Sequence, residues 1–193
     1  MHDTHKPPRW DEISYLKEGT PRQQQAFETL TALGIFDVLQ IYTPVLIGTI
    51  PLDVDVETSD LDVACYAPDL ALFAREVTVL YGSQPHFRLR HKQVRGAPSV
   101  VASFKYDGFE IQFFAQPQPV ERQYGYRHML VEARLLALGG EAARHAIREL
   151  KRSGIKTEPA FAAYFHLKGD PYELLWELSW LPDSTLRERI NCS

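Results

Sequence analysis

Pro44-Val-Leu-Ile-Gly-Thr-Ile-Pro51, followed by Ser59-Asp-Leu-Asp-Val-Ala-Cys65, is the stretch on which the fold of this chain turns. It reads as an apolar strand, a Gly-Thr turn, a looping excursion and a second apolar strand carrying two carboxylates. Side chains alternate between the faces of a strand that rises about 3.3 Å per residue, so Asp60 and Asp62 point the same way, roughly 6–7 Å apart at Cα. Leu61 and Val63 point the other way, into a core. Two carboxylates side by side on a rigid strand are costly unless a cation sits between them. Mg²⁺ is the usual resolution, because it takes one or two carboxylates together with substrate phosphates.

A third acid lies further on. Phe104-Lys-Tyr-Asp-Gly-Phe-Glu-Ile-Gln-Phe-Phe114 reads as strand, Asp-Gly turn, strand. Phe109, Ile111 and Phe113 alternate there with Glu110, Gln112 and Phe114. Glu110 is an isolated acid in an apolar run, and if the hairpin pairs beside the first acidic strand the three carboxylates share one face.

Together these motifs resemble the nucleotidyltransferase superfamily, the group that includes polymerase beta. Ile47-Gly48-Thr49 matches its apolar-Gly-Ser opening, with Thr49 keeping the hydroxyl. Asp60-Leu61-Asp62-Val63 matches its paired acids and Phe109-Glu110-Ile111 its later acid. The wider chain is also similar to an uncharacterised bacterial family placed in that superfamily. The stretches that carry this second likeness are Leu46–Asp53, Ser59–Asp62, Tyr126-Arg-His-Met129, Lys156–Phe161 and Gly169-Asp-Pro-Tyr172.

The resemblance implies transfer of a nucleoside monophosphate from a nucleoside triphosphate to a hydroxyl. Asp60, Asp62 and Glu110 would be the catalytic and metal-binding residues of a two-ion Mg²⁺ site. Gly48 and Thr49 would let the backbone approach the phosphates, with Ser59 beside them among the nucleotide-binding residues. The alternative is an inactive fold of the same kind, kept as a binding or regulatory module.

Composition narrows the partners. A net charge of -4 and a pI near 6.0 argue against binding long nucleic acid and favour a small-molecule acceptor, with a protein hydroxyl or an RNA end as other options. The polar N-terminus has no signal-peptide pattern and no window is apolar enough for a membrane span, so a cytoplasmic chain is expected. Two cysteines, Cys65 and Cys192, give no disulfide framework. There is no Gly-x-Ser-x-Gly elbow, no Gly-x-x-x-x-Gly-Lys phosphate loop and no His-Glu-x-x-His zinc motif.

Punctuation along the chain predicts an α+β domain, a small mixed sheet packed with helices. Residues 1–9 read as loosely attached, and Trp10–Lys17 as a short helix. Thr20, Pro21 and Gly34 bracket a helix, and Ile35–Gln40 reads as a further turn or short helix. Asp53 and Asp55 alternate with Leu52, Val54 and Val56, either as exposed positions of a short hairpin arm or as additions to the acidic cluster. Residues 68–82 read as a helix with Leu70, Phe73, Val77 and Leu80 on its inner face. The strand that follows carries Arg88, Arg90 and Lys92 at one parity, either a phosphate-facing row or a solvated edge.

From residue 119 the pattern turns helical, so 1–118 is expected to form the catalytic core and 119–193 a portion of four helices. Arg127 and His128 on its first helix are candidate nucleotide-binding residues. Thr157 reads as a helix N-cap with Lys156 beside it, and Trp176 and Trp180 as core.

Overall fold

The computed structural model describes residues 9–191; the expectation for the extreme N-terminus and that for Cys192 fall outside them. Local chemistry explains where most elements begin. Helix α1 (Pro21–Ala32) starts in a capping box: Thr20 Oγ1 accepts from Gln23 N–H while the Gln23 side chain accepts from Thr20 N–H. Gly34, at φ 63°, turns the chain into the single-turn helix α2 (Ile35–Val38). Residues 14–18 form a 3₁₀ turn, so the short helix expected over Trp10–Lys17 is replaced by a tighter, later one.

Five strands follow: β1 (Val45–Ile47), β2 (Leu61–Tyr66), β3 (Arg88–Val94), β4 (Ala97–Tyr106) and β5 (Phe109–Gln116), in the order β1-β2-β5-β4-β3. All neighbours are antiparallel except β2 and β5, which makes the sheet mixed as expected. The Asp107-Gly108 turn, with φ 47° and 77°, has the left-handed geometry of a two-residue hairpin.

One face of the sheet is apolar. Leu61, Val63 and Cys65 meet Phe109, Ile111, Phe113, Phe104 and Ala102 there, covered by α1, α2 and α3 (Leu70–Tyr81). The buried side of α3 is Phe73, Ala74, Val77 and Tyr81. Leu80 instead is 42% exposed, because the stripe follows the ring of Tyr81, stacked on Phe104.

The opposite face is shared. Val45, Ile47 and Ala64 pack against a second cluster from the helical portion. That portion comprises α4 (Tyr124–Arg152), α5 (Thr157–Tyr164), α6 (Pro171–Leu178) and α7 (Asp183–Asn191). Gly140, at φ 61° and ψ −155°, breaks α4 into the two helices expected from the sequence. Helix α7 lies beyond the last element expected. Lys156, not Thr157, is the N-cap of α5. Trp180 is 53% exposed, so the Trp176/Trp180 pair is not wholly core. Residues 50–59 form turns, not a hairpin arm, since their backbone folds onto Thr49: Leu52 and Val54 N–H both donate to its carbonyl.

Candidate active site

Asp62 lies inside the sheet, between Ile47 of β1 and Gln112 of β5. Gln112 Nε2 donates to Asp62 Oδ1 at 2.8 Å. The other oxygen faces Gly48, where an added Cβ would come within 3.0 Å of Asp62 Oδ2. Gly48 is at φ 85°, so two requirements meet on it: a left-handed backbone and room for the carboxylate. Gly48→Ala is expected to cost about 1–2 kcal/mol in urea unfolding and to displace the Asp62 carboxylate. A variant as stable as the parent would show that neither requirement holds.

Burial pushes the Asp62 carboxyl up to about 6; the Gln112 hydrogen bond works against this, the negative charge of Asp60 with it, and the charge of Lys151 against it. Asp60 stands one residue before β2 and is exposed; burial of part of its surface and the charge of Glu110 raise it too. Thr49 and Ser59, ten residues apart in sequence, meet at 3.4 Å between hydroxyls, and Ser59 Oγ also accepts from Val56 N–H at 2.9 Å. The two halves of the opening motif are therefore tied into one unit.

The expected three-carboxylate cluster is not assembled. Among the described residues no group of three or more His, Cys, Asp or Glu side chains is placed to hold a metal ion. The register explains this. Leu61 is opposite Ile111 and Asp62 opposite Gln112, so continuing the pairing sets exposed Glu110 beside Asp60, one rung away from Asp62. What faces Asp62 on β5 is an amide. Asp60 and Asp62 still suit Mg²⁺, since two carboxylates with phosphates completing the shell are a sufficient donor set. A depression of about 650 Å³ opens below them, bordered by Ser59, Asp60, Glu110, Lys105 and His86; it reaches neither Asp62 nor Gly48.

The second half of α4 supplies residues that the sequence reading missed. Arg148 pairs with Asp53 Oδ1 at 2.5 Å and donates to the Asp53 carbonyl. Lys151 Nζ donates to Val54 O at 2.8 Å, and Arg152 reaches Glu57 Oε1 at 3.1 Å. Three cations on one helix face thus fasten the loop between the Gly-Thr turn and the acids. Asp53 is held by Arg148, and burial raises the Asp55 carboxyl.

Behind that loop is a buried charged group. Burial lowers the Lys151 ammonium to about 8, with the charges of Glu132, Asp55, Glu158 and Asp62 opposing it. Burial raises Glu132, 3% exposed, to about 8. Glu132 had a legible signal: an acid inside the buried stripe of Met129, Val131, Leu135 and Leu136. Lys151 had none, because a lysine near a helix end reads as solvated.

Arg127 and His128 are engaged within the helical portion. The Arg127 guanidinium lies 3.6 Å from the Trp180 ring centroid, and Nε donates to Ser179 Oγ at 3.0 Å. His128 is buried, with Nε2 2.9 Å from the Tyr172 carbonyl and Nδ1 3.2 Å from Glu158 Oε1. A carbonyl only accepts, so Nε2 is the donor to Tyr172. Arg88, Arg90 and Lys92 are exposed on edge strand β3.

A family model for a domain of unknown function, DUF4269, matches residues 28–178. The chain belongs to the DUF4269 family. No curated protein matches this DUF4269 chain. Among solved structures it is similar to the Cid1 poly(U) polymerase bound to MgGTP, with TM-score 0.53 and 11% identity over 86% of this chain and 54% of that one. A cytoplasmic RNA terminal U-transferase gives 0.52 and 10% over 86% and 52%; the GLD-2/RNP-8 complex gives 0.50 and 12% over 81% and 59%. The DUF4269 chain has a nucleotidyltransferase fold and spans little more than half the length of these proteins. Among the described residues no helix is long and apolar enough to cross a membrane.

Proposed function

We propose that this chain is a Mg²⁺-dependent nucleotidyltransferase that moves a nucleoside monophosphate from a nucleoside triphosphate to a hydroxyl of a small molecule, a protein or an RNA end. Residues 1–118 would form the catalytic core and 119–193 the helical wall that braces it. The observation that carries the reading is the Asp62 carboxylate, fixed by Gln112 and approached by the Gly48 backbone, on a strand that brings Asp60 to the same face.

When bound, Mg²⁺ would neutralise phosphate charge and align the leaving pyrophosphate. Asp60 and Asp62 would hold it. The chain's own part is positioning. Thr49, Ser59 and the backbone at Gly48 line the approach of the triphosphate, and the loop fastened by Arg148 and Lys151 keeps both acids in place. The acceptor oxygen bonds to the α-phosphorus, the bond from that phosphorus to pyrophosphate breaks, and the hydroxyl proton passes to Glu110 at the open side.

The test is thermal stability with ATP, GTP, CTP or UTP, each with and without Mg²⁺. One nucleotide at about 100 times its dissociation constant should stabilise by about 2.7 kcal/mol, and only with the metal. A nucleotide shift that ignores Mg²⁺ would favour the alternative, a binding module that has lost the chemistry.

A further inference from the structure

The polar face of the sheet continues well past the carboxylates. Asp62 is paired with Gln112, Gln112 with Ser103, and Ser103 with Arg88, so one rung crosses four strands from an acid to a cation. Adjacent strands are about 4.8 Å apart, which puts Arg88 roughly 14 Å from Asp62. Arg90 and Lys92 follow on the same face of β3, each about 6.6 Å further along. Leu89 packs on the apolar core, which confirms the parity of the three cations.

Arg88, Arg90 and Lys92 are exposed, and so is Lys105 of β4, opposite Glu110 on the next rung. None of the four makes an ion pair or a side-chain hydrogen bond among the described residues. Elsewhere the arginines of this chain are commonly paired, as Arg95 with Glu173 and Arg134 with Asp183. The chain as a whole is acidic, so this concentration of unpaired cations on one face is local. Between the cations and Asp62 the floor is Ser103, Gln112 and the half-buried Phe114 and Val101. Below, the depression lined by His86, Lys105, Glu110 and Asp60 runs from the start of β3 to the acids.

A triphosphate whose α-phosphate is held at Asp62 covers less than half of the distance to Arg88. Arg90 and Lys92, further along β3, are therefore beyond the phosphates of the donor nucleotide. The row suits a longer anion with regularly spaced charges that ends at the acids. We infer that Arg88, Arg90 and Lys92 form a track for the phosphates of a single-stranded polynucleotide whose terminal hydroxyl enters the site as the acceptor. Phe114, in the rung between Arg90 and Ala64, offers a face for a base. The inference rests on the nucleotidyltransferase reading only for what happens at Asp62; strand binding itself needs neither nucleotide nor metal.

Fluorescence anisotropy with a short labelled single-stranded RNA, and with DNA of the same sequence, tests it in metal-free buffer. The intact chain should bind, with affinity falling steeply with salt. The Arg88→Gln/Arg90→Gln/Lys92→Gln variant should lose roughly tenfold or more and flatten the log–log salt slope by about 2, the value for three contacts to a single strand. All three positions are exposed, and Arg90→Gln alone should flatten it by about 0.7. Asp62→Asn should bind as the parent does, so failure of the transferase reading leaves this result intact. No binding, binding that ignores the substitutions, or equal displacement by inorganic polyphosphate would overturn the track. RNA bound in preference to DNA would place the acceptor as RNA; equal binding would keep it as either strand.

Discussion

Asp62→Asn makes the metal-free protein more stable and removes Mg²⁺-dependent nucleotide binding. The stability gain follows from the sign of the shift. The Asp62 carboxyl titrates near 6 in the fold and near 3.8 when solvated, because burial penalises its charge. Between those values the unfolded chain gives up a proton that the folded chain keeps, so stability drains away as pH rises from about 4 to 6 and stays low above. Asparagine carries no such penalty and still accepts from Gln112 through its carbonyl oxygen. A gain of about 3 kcal/mol above pH 6, vanishing below pH 4, is expected in chelator-treated urea unfolding. An acid that destabilises its own fold at neutral pH is the usual mark of a residue kept for chemistry. If the variant is less stable than the parent above pH 6, Asp62 is a structural acid instead. If its stabilisation by Mg²⁺ and nucleotide survives, Asp62 is no ligand.

Lys151→Met tests the other side of the same loop. Methionine keeps the length of the side chain but gives up the hydrogen bond to the Val54 carbonyl and the charge that faces Glu132, Asp55, Glu158 and Asp62. Burial already penalises that ammonium, as it does the Asp62 carboxylate, so methionine relieves the charge penalty while leaving the Val54 carbonyl without its donor. The variant should stay within about 1 kcal/mol of the parent at neutral pH and should lose the parent's gain in stability between pH 8 and 10.5. At alkaline pH, where Glu132 ionises, Glu132→Gln should stabilise the Lys151→Met variant more than it stabilises the parent, because an amide needs no cation. By itself Glu132→Gln should also flatten the pH dependence. The Glu132 carboxyl rises from 4.5 to about 8 on folding, so its contribution declines as pH climbs through that window. Lys151 falls from 10.5 to about 8, and its penalty is relieved only as pH rises from 8 towards 10.5. Additive effects of the two substitutions would show that these residues do not act on each other.

The two variants also separate the layers of the site. Asp62 is on the strand that the sequence announced; Lys151 belongs to a helix nearly ninety positions later. The loop they share, residues 50–59, is held from three directions: by Gln23 on the Ile50 carbonyl at 2.8 Å, by the Thr49 carbonyl, and by the α4 cations. Loosening any one of them moves the acids without touching them.

The amino-acid sequence by itself determined the elements and the first half of the site. Alternation placed Asp60 and Asp62 on one face and Leu61 and Val63 on the other, because a strand has a period of two. Capping and turn residues fixed α1 and the β4–β5 hairpin, since Thr20, Pro21 and Asp107-Gly108 act within a few residues of themselves. The tertiary structure alone decided which acid stands beside which. Glu110 and Gln112 share a parity, and only the parallel register of β2 against β5 sets the amide, not the acid, opposite Asp62. It decided equally that Arg127 and His128 bond within the helical portion while Lys151 and Arg148 reach the loop. Such contacts depend on the break in α4 at Gly140 and on how its halves pack against β1 and β2. No short stretch of sequence encodes that geometry, because it is set by the shared burial of Val45, Ile47 and Ala64 with helices far along the chain.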